Sequence, residues 1–201
     1  MQINTEGWII GGGAVRCCSP FFDERETPEP PDLVVIHNIS LPGGHFLTGC
    51  VQSLFEGTLD CAGDPSFDSL RGLKVSSHFF INRNGLIHQF VSTQKRAWHA
   101  GVSLFHGRSK CNDFSIGIEL EGSDYVAFEP SQYRSLSLLL ASLCERYRSL
   151  RYITGHSDIA PGRKTDPGPF FDWTHLFEQC DYPKSLQYCS IKNSGNQGHV
   201  G

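Results

Sequence analysis

Three residues of this 201-residue chain, His37, His156 and Asp166, have the types and settings from which a hydrolytic metal centre can be built. Each histidine ends a short, largely apolar run, Leu33-Val34-Val35-Ile36 and Tyr152-Ile153-Thr154-Gly155, and opens onto a loop containing glycine or proline. Asp166 follows within the segment 155–168, whose prolines and glycines turn the chain soon after His156. Two imidazoles and one carboxylate suit zinc, which accepts N and O donors and in hydrolytic sites keeps a fourth position for water or substrate. Singly, each has a plainer reading. A strand-end histidine is more often a hydrogen-bonded structural group, and an aspartate before Pro167 is equally a turn former.

Hydrolysis also needs a proton carrier and a stabiliser for charge on the carbonyl oxygen. Ser115-Ile116-Gly117-Ile118-Glu119-Leu120-Glu121 alternates strictly. Ile116, Ile118 and Leu120 therefore share a core face, while Gly117, Glu119 and Glu121 share the other. Glu119, beside a glycine that leaves room for an approaching group, is the candidate general acid/base, with Glu121 as an exposed rival. A solvated strand carboxylate is the commoner case. Lys164, two residues before Asp166, is the candidate oxyanion stabiliser, provided it points inward rather than to water.

These side chains need a scaffold, and the pattern supplies one of the α/β class. The run 33–37 reads as a strand covered on both faces that delivers His37 at its carboxyl end, where α/β sheets place ligands. Residues 78–82 and 86–91 flank Arg83-Asn84-Gly85, and the Asn-Gly pair predicts a tight hairpin with positive φ angles. Apolar residues at Tyr133, Leu136, Leu139, Leu140, Leu143, Tyr147 and Leu150 predict an amphipathic helix over 131–150. Residues 152–156 form another short strand. Residues 38–72 read as a long loop region with a short helix near 48–55. Asp172 predicts a cap for a last helix from Trp173. Residues 19–32 are too rich in Pro and charge to pair in a sheet and read as an extended lead-in. The segment 193–201 reads as a disordered tail.

The length suits one domain. With 39% hydrophobic and 19% charged residues and no long apolar run, the composition is that of a soluble globular chain, with no membrane partner. A net charge of −4 argues against sequence-independent nucleic-acid binding. Eight cysteines at irregular spacings, with no C-x-x-C pair, read as reduced thiols. The N-terminus lacks a basic region, and its apolar stretch is diluted by Gly11, Gly12 and Gly13; it reads as a poor secretory signal, so the expected location is cytoplasmic. No obligate protein partner is evident.

Several blocks in the same order carry a resemblance. They are Val35-Ile36-His37-Asn38-Ile39-Ser40-Leu41-Pro42, Lys95-Arg96-Ala97-Trp98-His99-Ala100-Gly101-Val102-Ser103, residues 111–122, and Lys164-Thr165-Asp166-Pro167-Gly168-Pro169. From about Glu6 to Phe177 the chain resembles the zinc N-acetylmuramoyl-L-alanine amidases and peptidoglycan-recognition proteins, most closely those that act on 1,6-anhydro muropeptides recovered from the cell wall. The resemblance implies a central mixed β-sheet flanked by helices; residues 1–180 read as a single domain, and 181–201, without a clear family counterpart, as a flexible tail. It implies zinc (Zn2+) on His37, His156 and Asp166, with Glu119 and Lys164 as catalytic partners. The expected reaction is hydrolysis of the amide between anhydro-N-acetylmuramic acid and L-alanine by zinc-activated water, with an anhydromuropeptide as substrate. Asn38, Lys74 and Lys110 are the corresponding substrate contacts, and Trp98 and His99 resemble pocket wall, although a buried Trp is by itself more often core. Where close relatives are expected to carry arginine, Lys74 and Lys110 offer point charges instead of a bidentate fork. The alternatives are a receptor that binds peptidoglycan without cleaving it and a lytic amidase of intact wall.

Overall fold

The apolar runs become neighbouring strands of one sheet. In the computed structural model, which describes residues 1–190, the main sheet has seven strands. These are β1 (Val15–Arg16), β2 (Leu33–Ile39), β3 (Phe79–Ile81), β4 (Ile87–Gln89), β5 (Ser115–Glu121), β6 (Tyr152–Gly155) and β7 (Gln187–Tyr188). Their order is β7-β6-β2-β5-β3-β4-β1, and every neighbouring pair is parallel except the hairpin β3/β4. This is the expected mixed sheet with flanking helices.

Alternation sorts the two faces. Helix α2 (Pro130–Arg146) packs Leu136, Leu139, Leu140 and Leu143 against Val34, Ile36, Ile116, Ile118, Leu120 and Ile153. Its start is set by Pro130 in the first turn and a reciprocal Glu129/Gln132 capping box. The helix ends earlier than the predicted 150, although Tyr147 and Leu150 remain buried beyond it. The opposite face is covered by helix α1 (Cys50–Glu56), whose Val51, Leu54 and Phe55 meet Phe80, Phe90 and Val91. Nearby, Leu33 and Val35 pack with Ala100, Phe105, Phe114 and Ile159. With both faces covered, all seven residues of β5 are buried.

Four expectations change. Glu121 is not an exposed rival: its carboxylate is buried and accepts the backbone N–H groups of Leu47 (2.5 Å) and Arg83 (2.9 Å). The hairpin turn takes positive φ at Gly85 (80°) but not at Asn84, because a turn closed by Gly85 N–H to the Asn82 carbonyl precedes a left-handed glycine. The lead-in does pair: Phe22–Asp23 lies antiparallel to Arg96–Ala97, helped by twin 2.6 Å contacts from Arg96 to the Asp23 carboxylate. Residues 181–190, expected as flexible tail, are packed, with Tyr182 and Leu186 in the main core and β7 paired to β6. Asp172 does cap the last turn through His175 N–H (2.8 Å), but that turn is a short π-helical one, His175–Gln179. The predicted disorder at 193–201 lies outside the described residues.

Candidate metal and catalytic site

Strand register assembles the site. Glu119 of β5 pairs with His37 of β2, and Gly155 of β6 pairs with Ile36, so His156 emerges beside His37. Three chemically able residues thus stand side by side at the carboxyl ends of parallel strands, about one strand spacing apart. Asp166 is brought in by a loop folded back on itself. Ser157 N–H donates to the Asp166 carbonyl (2.8 Å), and Arg163 and Lys164 N–H both donate to the Ala160 carbonyl.

His37 Nδ1, His156 Nδ1 and Asp166 Oδ2 form a triangle with edges of 2.9, 2.9 and 3.0 Å. Tetrahedral zinc would separate such donors by about 3.3 Å, so a small outward relaxation admits the ion. The far nitrogens have partners of their own. His156 Nε2 lies 3.0 Å from the Ala100 carbonyl, which can only accept, so Nε2 carries a proton. His37 Nε2 lies 2.9 Å from His99 Nδ1, and His99 Nε2 lies 3.3 Å from Ser115 Oγ, which allows donation along the whole chain. Burial, with the neighbouring His156 ring, pushes His37 down to about 4, so its ring is neutral at physiological pH. His37 Nδ1, His156 Nδ1 and the Asp166 carboxylate thus converge on one point, an arrangement suited to a shared cation. On the chemistry of its donors, the set fits zinc.

Glu119 faces the same space. Its Oε1 is 3.9 Å from His37 Nδ1, while Oε2 is buried with no hydrogen-bond partner. Burial first, then the Asp166 charge, raises its carboxyl well above the ordinary range, partly opposed by Lys164. A carboxyl whose proton affinity is raised this way suits a group that must take up a proton and give it back. Glu119, Lys164 and the triangle line one cavity of about 240 Å³, walled by Leu41, Leu54 and Trp98. Lys164 also lines an adjoining polar cavity of about 520 Å³, which shares Asn38 and Asp166 with the first.

The other expected site residues divide. Asn38 lines both cavities and donates to the Asp124 carboxylate (2.8 Å) and the Pro167 carbonyl (3.0 Å). Trp98 lines the metal-side cavity and donates from Nε1 to Asp23 (3.0 Å). His99 lies against Gly117, where a Cβ would come within 2.5 Å of its ring; the room beside Glu119 is filled by this imidazole. Lys74 lines a smaller lobe of about 150 Å³ that shares Leu54, Leu70 and Leu73 with the metal-side cavity. Lys110 is not among the residues lining these cavities, and its ammonium contacts both Glu26 oxygens at 3.0 Å. Sequence reasoning misses Asp124 and Asn112. Ser115 carries a signal, since it shares the face of Gly117 and Glu119.

The chain was compared with known proteins. The family model described as N-acetylmuramoyl-L-alanine amidase matches residues 27–169. The 1,6-anhydro-N-acetylmuramyl-L-alanine amidase AmpD of Escherichia coli K12 is 50% identical over 172 residues, covering 85% of this chain and 93% of that protein. A crystal structure of a selenomethionine AmpD derivative superposes with a TM-score of 0.84 at 48% identity, covering 88% of this chain and 97% of the other. The amidase AmiD of E. coli, solved with anhydro-N-acetylmuramic acid-L-Ala-D-gamma-Glu-L-Lys as substrate, superposes with a TM-score of 0.51 at 30% identity over 88% of this chain and 65% of its own.

Proposed function

The chain belongs to the N-acetylmuramoyl-L-alanine amidase family, and we propose that it works as a zinc enzyme on soluble anhydromuropeptides, with His37, His156 and Asp166 as the metal ligands. It is an amidase of the bond between 1,6-anhydro-N-acetylmuramic acid and L-alanine, the activity named for relatives that are 50% identical to it over the aligned residues. The observation that carries the zinc reading is the triangle of His37 Nδ1, His156 Nδ1 and Asp166 Oδ2, with edges of 2.9, 2.9 and 3.0 Å.

When bound, zinc supplies Lewis acidity toward the amide carbonyl and eases deprotonation of the attacking water. His37 and His156 enter as neutral ligands, their outer N–H groups occupied by His99 and the Ala100 carbonyl, so neither ring is free to rotate. Glu119, which lines the cavity and keeps Oε2 unpartnered, takes the proton from the water and passes it to the leaving nitrogen of L-alanine. Lys164, an exposed residue that lines both cavities, is proposed to bring its ammonium to the carbonyl oxygen as that oxygen gains charge. Asn38, held by Asp124 and Pro167, lines the route between the cavities and is proposed to contact substrate together with Trp98, His99 and Lys74. Lys110 enters this proposal more weakly, through long-range charge, because Glu26 already partners its ammonium.

The cytoplasmic setting is part of the same proposal. All eight cysteines are free, which suits a reducing compartment, and no described helix is long and apolar enough to cross a membrane. Incubation of the zinc-loaded chain with a defined anhydromuropeptide should release anhydromuramic acid and a peptide with L-alanine at its new amino terminus, identified by mass spectrometry. Faster turnover of intact sacculi than of the soluble fragment would contradict the substrate assignment.

A further inference from the structure

Both histidine ligands lean on one dipeptide. His37 Nε2 reaches the His99 side chain (2.9 Å), and His156 Nε2 reaches the main-chain oxygen of Ala100 (3.0 Å). The two backbone N–H groups of that dipeptide converge on one atom, since Asn112 Oδ1 accepts from His99 N–H (3.2 Å) and from Ala100 N–H (2.8 Å), while the Ala100 carbonyl also accepts from the Arg163 guanidinium (2.8 Å). Asn112 sits in the short 3₁₀ turn Cys111–Asp113, immediately before β5. That turn is anchored from behind by the Arg25 guanidinium, which donates to the carbonyls of Asn112 (3.1 Å), Asp113 (2.8 Å) and Ser115 (3.0 Å).

We propose that Asn112 is a positioning residue for the metal centre: by gripping both N–H groups of His99-Ala100, its side-chain oxygen sets the orientation of the two groups that receive the outer N–H bonds of His37 and His156. The inference rests on the zinc reading above and goes beyond it, since Asn112 touches neither ligand. A shift of the dipeptide moves both acceptors together. His37 and His156 then lose their outer partners in one event, and the Nδ1 lone pairs are no longer held toward Asp166. Arg25 gives the lead-in segment a part in this, because it fixes the turn from which Asn112 reaches.

The test uses the full chain, with zinc affinity from chelator competition and the visible spectrum of the cobalt(II)-substituted protein as readouts. Asn112→Ala should weaken zinc binding by about 10- to 100-fold, the range for losing an outer partner of a metal ligand, and should change the cobalt ligand-field bands. Asn112→Asp keeps an oxygen in the same place and should stay within about threefold of the parent, whereas Asn112→Leu, similar in size but without an acceptor, should be as weak as Asn112→Ala, a split that a merely space-filling role does not predict. Zinc affinity of Asn112→Ala equal to the parent's, or an Asp variant as weak as the Ala variant, overturns the proposal. A parent chain that takes up no zinc overturns the reading beneath it, and that result is distinct from tight binding by both. Should Asn112→Ala fail to fold, imidazole nitrogen NMR of the zinc-loaded parent decides. Protons on Nε2 of both His37 and His156 agree with the dipeptide as common acceptor, and a proton on Nδ1 of either refutes it.

Discussion

Gly117→Ala adds one methyl group where the structure leaves no room for it. The new Cβ would lie 2.5, 2.6 and 2.7 Å from Cγ, Cδ2 and Nδ1 of His99, roughly 1 Å inside ordinary van der Waals contact. Gly117 does not have positive φ, so the substitution reports the close approach and not backbone strain. The neighbouring backbone is fixed between β2 and β3, and the ring must give way. A displacement of about 1 Å takes the 2.9 Å contact between His37 Nε2 and His99 Nδ1 beyond hydrogen-bond range. Overpacking costs about 1–3 kcal/mol and a stranded buried N–H about 1–3, so a combined loss of about 2–6 kcal/mol is expected in urea unfolding. Zinc affinity should fall by about 10-fold or more in the same variant. Removing the ring removes the collision: in a His99→Ala background, Gly117→Ala should cost less than about 1 kcal/mol. Equal costs in the two backgrounds would show that His99 is not what Gly117 accommodates.

Glu119→Ala should lower turnover by about 10²–10⁴ with zinc content unchanged; a variant retaining parental turnover removes Glu119 from the proton path. Glu121→Ala should instead cost about 2–4 kcal/mol of stability, because Leu47 and Arg83 N–H both lose their acceptor, and its turnover should fall far less than that of Glu119→Ala. The buried His78 ring, which accepts from Gly117 N–H and contacts the Lys95 carbonyl, is pushed down to about 3 by burial and the nearby Arg25 charge. Its folded value lies below the unfolded one near 6.5, so the unfolded chain binds the extra proton. Stability is therefore lost as pH falls from about 6.5 toward 3, by up to about 1.4 kcal/mol per pH unit for this group. Urea unfolding between pH 5 and 7 should show a shallower slope in His78→Asn, and an unchanged slope would refute the assignment.

Much of the site was legible because strands advertise themselves. The apolar runs before His37 and His156 and the alternation around Glu119 all lie within single segments. What was hidden is register. That His37 sits between Glu119 and His156 depends on pairing among segments far apart in sequence, which no local pattern encodes. Glu121 illustrates the limit: alternation correctly put it opposite the core leucine and isoleucines, but the loop at Leu47 and the turn at Arg83 that cover it come from elsewhere. The same holds for Lys110, whose partner Glu26 lies 84 positions away. Residues 181–190 carry isolated apolar side chains without a period, so their burial was invisible until the sheet edge they join was in place. Asn112 has no signal of its own, because its importance lies in the two backbone groups it holds.

The central claim is that zinc on His37, His156 and Asp166 serves the amidase reaction. Zinc-edge X-ray absorption of the active, metal-loaded chain tests it most directly, because this chain also offers eight cysteines as rival ligands. The expected spectrum has a first shell of N and O donors only, at about 2.0–2.2 Å, with the outer-shell scattering of two imidazoles. A sulfur shell near 2.3 Å, or a shell unchanged in Asp166→Ala, would contradict it.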